Sequence, residues 1–537
     1  MKKKLCLTII AFLAAPAVCL ATDYYVREDG TAASKEVAVD CLLASTAMSV
    51  TAHNAETFAA GDNIYLCDAA AITAQIVPPS SGSAGGYITY DGDGDDDGTD
   101  AEIQGGIAKG TEVNYLKIQD IHFTTSTKGI SLAAGASNNQ VSGCFFDTLG
   151  QQGIFSSGLA DTDYSQDWLI ENCVFTNVGA YGDTAAADIN VGGFSRRWTI
   201  RNTIHTGDGS TRGVDAINFS NINVEGGDGS GHLIENVTCS GYQENCADFK
   251  GTKESSAGEG GTVVQDCDFS AGGGTEGLTH VQFNAADVTY TRVKFHDHPA
   301  NAISSPTQGV GEDASGYITV DHCKFEEIRK SVFSDRGLTN AEALGHNTFI
   351  NNTFINCGDN LAGYAVDIGS NYNTFTNNLY YNVSENATSD IIYRFETTDN
   401  YTTAEIDYND NWKLSQVGTQ VALVVATQKY FATWQSDGND ANGWLNVSPS
   451  LDSQGRPTAK TPAAVKRGGL LRYGYPSIAG KYGYIGAYPY YEGTITPWNI
   501  ALSIMGGPGR LGGGVVYNAP ESGLLDTLEL LDTLEML

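Results

Sequence analysis

Through the middle of the chain one short pattern keeps returning: an apolar residue, four residues of mixed character, then an aromatic or other apolar residue. Trp168-Leu-Ile-Glu-Asn-Cys-Val-Phe175 and Val263-Val-Gln-Asp-Cys-Asp-Phe269 are two copies. The two marker positions recur as Ile118/Phe123, Val141/Phe146, Ile170/Phe175, Ile200/His205, Ile234/Cys239, Val264/Phe269, Tyr290/Phe295, Val320/Phe325, Phe349/Phe354 and Phe375/Tyr380. Neighbouring copies lie 23 to 34 residues apart, the period of a solenoid. Within each, apolar residues alternate at i, i+2, which lines one face of a strand and not of a helix. A single coil cannot bury its apolar face, so coils must stack with strands about 4.8 Å apart. Ten coils then make a rod roughly 50 Å long, and the pattern predicts an all-β parallel β-helix.

A second strand follows in each coil, with central hydrophobes Ile130, Ile154, Ile189, Ile217, Phe249, Val281, Ile303, Phe333 and Ile368. If these point inward, the residues flanking them point outward and form two columns along the rod. The column before reads Gly129, Gly153, Asp188, Ala216, Asp248, His280, Ala302, Val332, Asp367; the column after reads Ser131, Phe155, Asn190, Asn218, Lys250, Gln282, Ser304, Ser334, Gly369. Polar and ionisable side chains gather in the middle coils as Asp188, Asn190, Asn218, Asp248, Lys250, His280 and Gln282, with Asp215 at the edge.

The flanks divide the chain further. Residues 1–21 open with Lys2, Lys3 and Lys4, continue through an apolar stretch and end at Cys19-Leu20-Ala21, which reads as a secretory signal and places the protein outside the cell or in the periplasm. Residues 22–110 read as an amino-terminal cap with the first coils, 111–400 as the β-helix core, and 401–493 as irregular last coils with a closing cap. Residues 494–537 read as a Gly-rich connection and a Leu-rich amphipathic helix, in which Leu-Leu-Asp-Thr-Leu-Glu is written twice. That helix docks on the rod or pairs with a second subunit. No later run of 18 apolar residues exists to span a membrane.

Near the amino terminus, Asp23-Tyr-Tyr-Val26 is followed by Gly61-Asp-Asn-Ile-Tyr-Leu66 and by Pro79-Ser-Ser-Gly82 leading into Tyr87-Ile-Thr-Tyr-Asp-Gly92. This order resembles the entry into bacterial right-handed parallel β-helix proteins, many of them polysaccharide lyases. Ile485-Gly-Ala-Tyr-Pro-Tyr490 is similar to the segment that often closes such folds. The resemblance covers nearly the whole mature chain for the fold. Asp248-Phe-Lys250 is similar to the way calcium-dependent lyases of this architecture set a lysine base near metal-binding aspartates. The Arg-x-Pro-x-x-Arg of the main pectate lyase family is missing, as are the Gly-His-Gly and Arg-Ile-Lys of polygalacturonases, so the resemblance leaves the sugar open.

Composition agrees with many short strands and tight turns: 63 glycines and 10% aromatic residues. A formal charge of −33 excludes nucleic acid as a partner and repels anionic polymers at long range, a field that calcium can reverse locally. Nine of the 11 cysteines follow the signal, an odd number that leaves at least one thiol unpaired. Cys41 and Cys67 can close the amino-terminal cap as a disulfide. Cys144, Cys173, Cys267 and Cys323 each sit two residues before a closing aromatic, inside the rod, where small apolar filler is the expected role and a metal or redox ladder the alternative. Asn351-Asn352 and Asn377-Asn378 read as stacked turn asparagines.

Three functional readings follow. A lyase acting on an acidic, uronic-acid-containing polysaccharide needs a base beside the carboxyl group and a cation for the developing enolate. Lys250, its pKa lowered, is the expected base, His280 its helper, and Asp188, Asp215 and Asp248 are the expected calcium ligands. Asn190, Asn218, Gln282 and, further along, Arg336 would hold the polymer, with Arg336 alternatively pairing with Glu326 or Glu327. The second reading is an inverting glycosidase pairing Asp188 or Asp215 with Asp248. The third is a non-catalytic surface protein, an adhesin or a self-assembling rod, whose polar face only keeps it soluble. Asp93, Asp95, Asp97 and Gly98 also match half of a calcium loop, but position twelve is Gln104.

Overall fold

The computed structural model describes residues 21–450 except 95–97, 133–134, 159–162, 180–185, 209–213, 221–230, 252–260, 271–276, 283–284, 286, 306–316, 336–344, 359–363, 384–390, 408, 413–419, 441–443 and 446–449. The secretory signal, Ile485–Tyr490, the Gly-rich connection, and the Leu-rich tail with its docking or self-association therefore lie outside the described residues, as does Arg336.

The period-two alternation becomes parallel strands in three ladders, as in Leu116–Gln119, Ile121–Thr124 and Lys128–Leu132 of one turn. The first two ladders belong to one large sheet and the third forms its own, a parallel β-helix whose strands each pair with the turn before and after. Antiparallel pairing ends the third ladder, where Gln420–Val424 meets Thr427–Tyr430. No helix among the described residues is long and apolar enough to cross a membrane.

The register follows the marker residues. Ile118 pairs with Val141, and the partners continue without a slip through Ile170, Ile200, Ile234, Val264, Tyr290, Val320, Phe349 and Phe375. The second marker column holds register equally, from Phe123 to Tyr380. Between the two ladders stands a single left-handed residue: Asp120, Asn172, Asn202, Asn236, Asp266, Asn351 and Asn377 all have φ of 50–59°. Asn and Asp tolerate this conformation better than other residues with a Cβ. One step on, buried Asn352 donates from Nδ2 to Asn378 Oδ1 at 3.0 Å, and Asn378 donates to Phe349 O at 2.9 Å. The asparagine ladder thus satisfies backbone groups that the corner leaves unpaired.

Stacking in register also builds the core. Phe123, Phe146, Phe175 and His205 lie face to face at 4.9, 4.6 and 4.7 Å, and Phe295, Phe325 and Phe354 repeat the arrangement further along. Ladder spacing imposes this parallel stacking, where free ring pairs would offset or tilt.

Cys41 and Cys67 form a disulfide, and so do Cys239 and Cys246, a pairing the spacing pattern did not suggest. Cys144, Cys173, Cys267, Cys323 and Cys357 are buried free thiols. Burial pushes Cys267 and Cys357 up to about 12, which removes thiolate at any physiological pH. We expect none of these five to react with iodoacetamide in the native protein and all five to react in denaturant, as counted by intact-mass spectrometry.

Five strands of the third ladder position the polar face: β1 (Ala186–Gly193), β2 (Val214–Ser220), β3 (Ala247–Lys250), β4 (Gly277–Gln282) and β5 (Asn301–Ser304).

Candidate functional site

The third ladder departs from the sequence alignment at two joints. Ile217 of β2 pairs with Ala247, and it is Phe219 that pairs with Phe249 of β3. Likewise Thr279 of β4, not Val281, pairs with Ile303 of β5. A shift of two residues keeps every side chain on its own face. Ile217 and Phe219 are both fully buried, so either satisfies the inward position.

The corrected outward row is Phe155, Asn190, Asn218, Asp248, His280, Ser304, Ser334 and Asp367. Beside it run Ser220, Lys250 and Gln282. His280 is therefore the strand neighbour of Asp248, and Lys250 that of Gln282.

Asp188 leaves the group. The position one residue before Ile154 and Ile189 turns into the rod, where a Cβ on Gly153 would come 2.8 Å from a ring carbon of Phe175. Asp188 is fully buried there, bonded to His205 Nδ1 at 2.8 Å and accepting from the Tyr242 hydroxyl. Thr203 Oγ1 lies 2.9 Å from the other ring nitrogen of His205. Burial raises the Asp188 carboxyl, against the His205 and Tyr242 interactions that lower it. A metal at the outer face is beyond its reach, which corrects the expected ligand set. Asp335 is interior too: it accepts from Ser370 and from the Gly369 amide, and burial pushes it up to about 7.

Asp215, Asp248, Lys250 and their amide partners do come together. In β2 the consecutive residues Ala216 and Ile217 are both buried at the strand's bend, so Asp215 and Asn218, three apart, share the outer side. Asn218 Nδ2 donates to Asp215 Oδ2 at 2.9 Å, and Asn245 Nδ2 donates to Oδ1 at 2.8 Å. Asp248 carries the Lys250 ammonium at 2.7 Å on Oδ2 and the Gln282 amide at 3.0 Å on Oδ1. His280 Nε2 accepts from the Gly277 amide at 3.3 Å. Asp215 and Asp248 are each 2% exposed, while the Lys250 side chain remains 19% exposed.

The two carboxylates occupy different environments. Burial, then the charge of Asp248, raises the Asp215 carboxyl well above its ordinary range, with Lys250 opposing. Lys250 is pulled down by burial but pushed up further by Asp248, Asp215 and Glu244, and ends above its ordinary value. This corrects the expected lysine base: a base needs neighbouring cations to shed its proton, and here the neighbours are carboxylates that hold the proton on.

Calcium does not fit this arrangement. Both oxygens of Asp215 and both of Asp248 already accept from amide or ammonium donors, where a metal site would turn carbonyl oxygens and free carboxylates inward. No cluster of three acidic, His or Cys side chains with ligand geometry occurs among the described residues. In the half-matching loop, Asp93 Oδ1 accepts from the Gly98 amide at 3.1 Å, and Asp95 and Asp97 lie outside the described residues. We expect a chelator to leave the thermal midpoint, followed by circular dichroism, unchanged.

Each amide that turns its N–H toward a carboxylate turns its oxygen away. Asn218 Oδ1, Asn245 Oδ1 and Gln282 Oε1 are buried and have no hydrogen-bond partner among the described residues, nor has Asn301 Oδ1 on β5, whose Nδ2 is spent on Ser304 Oγ at 2.9 Å. Among the described residues, four acceptors on or beside neighbouring strands thus lack donors. Asn245 and Asn301 were not among the residues picked from the sequence. Their signal is the spacing of three to the outward row, which they share with Asp215.

No family model matches the chain, and no curated protein matches it by sequence. Among solved structures, it is similar to an alginate lyase from Paenibacillus sp. str. FPU-7 at 16% identity, over 56% of this chain and 89% of that one, with a TM-score of 0.36. It is also similar to the pectate lyase Pel9A, at 14% identity over 88% and 97% and a TM-score of 0.37. The catalytic domain of a GH87 α-1,3-glucanase in complex with nigerose gives 12%, 71%, 66% and 0.45. At these identities and scores no reaction is carried across from any of them.

Proposed function

We propose that the protein is a secreted glycoside hydrolase that cleaves a polysaccharide with Asp215 as proton donor and Asp248 as the carboxylate that activates water. The observation that carries this reading is two buried carboxyl groups beside each other: Asp215, held by Asn218 and Asn245 and raised well above its ordinary range by burial, and Asp248, in contact with the Lys250 ammonium at 2.7 Å. A carboxyl kept neutral by its surroundings next to a second carboxylate is the arrangement an acid and base pair needs. Asp215 delivers its proton to the glycosidic oxygen as the bond to the anomeric carbon breaks. Asp248 takes a proton from the incoming water, and Lys250 balances its charge. Asn218 and Asn245 orient Asp215, and Gln282 orients Asp248.

The orphan amide oxygens favour a substrate that brings donors, through hydroxyl or amine groups. A polyuronate is the poorer fit, because the Lys250 ammonium is already engaged by Asp248 and the four orphan amide atoms among the described residues are acceptors. This departs from the acidic polysaccharide expected from the sequence.

The test is product chemistry on a panel of soluble neutral, amine-bearing and uronate polymers. Hydrolysis yields new reducing ends without the ultraviolet absorbance of an unsaturated sugar. Appearance of that absorbance would return the reading to β-elimination, and no product from any polymer would leave the non-catalytic reading standing.

A further inference from the structure

On the first ladder, in a different sheet from the acidic face, the residue that opens most turns is left-handed, Tyr115 and Arg197 among them with φ of 56 and 50°. Asn138, Asp167 and Asp287 occupy it with φ of 57° in each case, residue types suited to that conformation. At the equivalent positions 317, 346 and 372 the sequence places Tyr, His and Tyr, with φ of 56, 55 and 58°. Bulky side chains carry a steric cost in this region, and such strain persists where something compensates.

The rings stack on one another, Tyr317 on His346 at 5.1 Å and His346 on Tyr372 at 4.9 Å. Burial is not the compensation: Tyr317 is 43% and Tyr372 56% exposed, and His346 is exposed as well.

The stack stops at Tyr317. Register carries that position back to Asp287 and then Gly261, since Val263 pairs with Thr289 and Thr289 with Thr319. Gly261 cannot be larger, because a Cβ there would sit 1.9 Å from the carbonyl oxygen of Asp287. A cleft of about 320 Å³ opens at this end, lined by Gly261, Asp287, Thr289, Tyr317, Thr319 and His346 among others, within the size range of small-ligand sites.

We propose that this cleft binds one pyranose ring of a glycan chain, stacked on the end of the Tyr317–His346–Tyr372 ladder. The ring face of tyrosine is the negative end of its quadrupole, and the C–H face of a pyranose is its positive complement. Thr289 and Thr319, neighbours in register, line the rim with hydroxyls. The site holds polymer without acting on it, and it stands whether or not the acidic face is catalytic.

Tyr317→Gly tests it with little risk to folding, because glycine relieves the left-handed backbone while removing the ring. The probes are hydroxyethylcellulose, laminarin, soluble xylan and glycol chitosan, cast separately into native gels, with the full chain as analyte. We expect at least one polymer to retard the wild type. Retardation should weaken several-fold to about tenfold in Tyr317→Gly, the scale of one aromatic contact, and be retained in Tyr317→Trp. Equal retardation of wild type and Tyr317→Gly would overturn the proposal, and so would a wild type that none of the four polymers retards. Thermal midpoints confirm that each variant is folded.

Discussion

Asp215→Asn is expected to lower the rate of glycan hydrolysis about 10²–10⁴-fold, the usual contribution of a positioned acid or base, with the fold intact. Asparagine keeps the shape and the bonds that Asn218 and Asn245 could rearrange around, but it has no proton to give. Asp248→Asn should lose a similar factor, and the two losses together should fall well short of their product, because the residues act in one step. The pH profile separates their roles. A carboxyl raised by burial and by the Asp248 charge is neutral in the folded protein above the pH at which it would ionise when unfolded. Wild-type activity should therefore decline as pH rises through the raised value of Asp215. The same group contributes stability that is fully present below its unfolded value and lost as pH rises through its folded one. At neutral pH Asp215→Asn should accordingly be no less stable than the wild type, measured as the denaturant midpoint. An Asp215→Asn variant with full activity would remove the proton donor from the mechanism.

The largest loss of stability is expected inside the rod, from Asp188→Ala. The carboxylate there binds His205 Nδ1 and the Tyr242 hydroxyl with no solvent contact. Removing it leaves a buried ring nitrogen and a buried hydroxyl without their partner, at a cost of about 3–5 kcal/mol. Asp188→Asn, which can still meet one of them, should fall between. Chemical denaturation followed by circular dichroism reads both. Since Asp188 faces away from the acidic row, oligosaccharide binding by the folded fraction should be unaffected, which separates this carboxylate from Asp215.

The contrast between Asp188 and Asp215 shows what could be read in advance. The first two ladders were legible because one residue joins them in every turn, so the two marker positions are always five apart and cannot drift. The burial of Cys144, Cys173, Cys267 and Cys323 followed from the same ruler, while the Cys41–Cys67 disulfide was suggested only by the two cysteines flanking the amino-terminal cap. The third ladder was legible in its faces but not in its phase. Ile217 and Phe219 are equally buried, and nothing local says which of them meets Phe249. The two-residue slip placed Asp248 and His280 one row off and made Asp188 look like their neighbour. Lys250 was found, but its protonation was misjudged, because sequence marks the presence of Asp248 and not the 2.7 Å contact that fixes the proton on the amine. Asn245 was overlooked because the bend that brings a residue three earlier to the same side is a property of the folded strand.

The single-residue corner has a consequence for how such a rod can vary. A join of one left-handed residue has no room for an insertion, so the two ladders it connects must be inherited as a fixed unit. The connections into and out of the third ladder are under no such constraint, and the turn length of 23 to 34 residues varies entirely through them. Novelty in chain length is thereby channelled to the edges of one face, the face that carries Asp215 and Asp248. Grafting or trimming segments at those edges offers a way to retune what the rod recognises while leaving its stacking undisturbed.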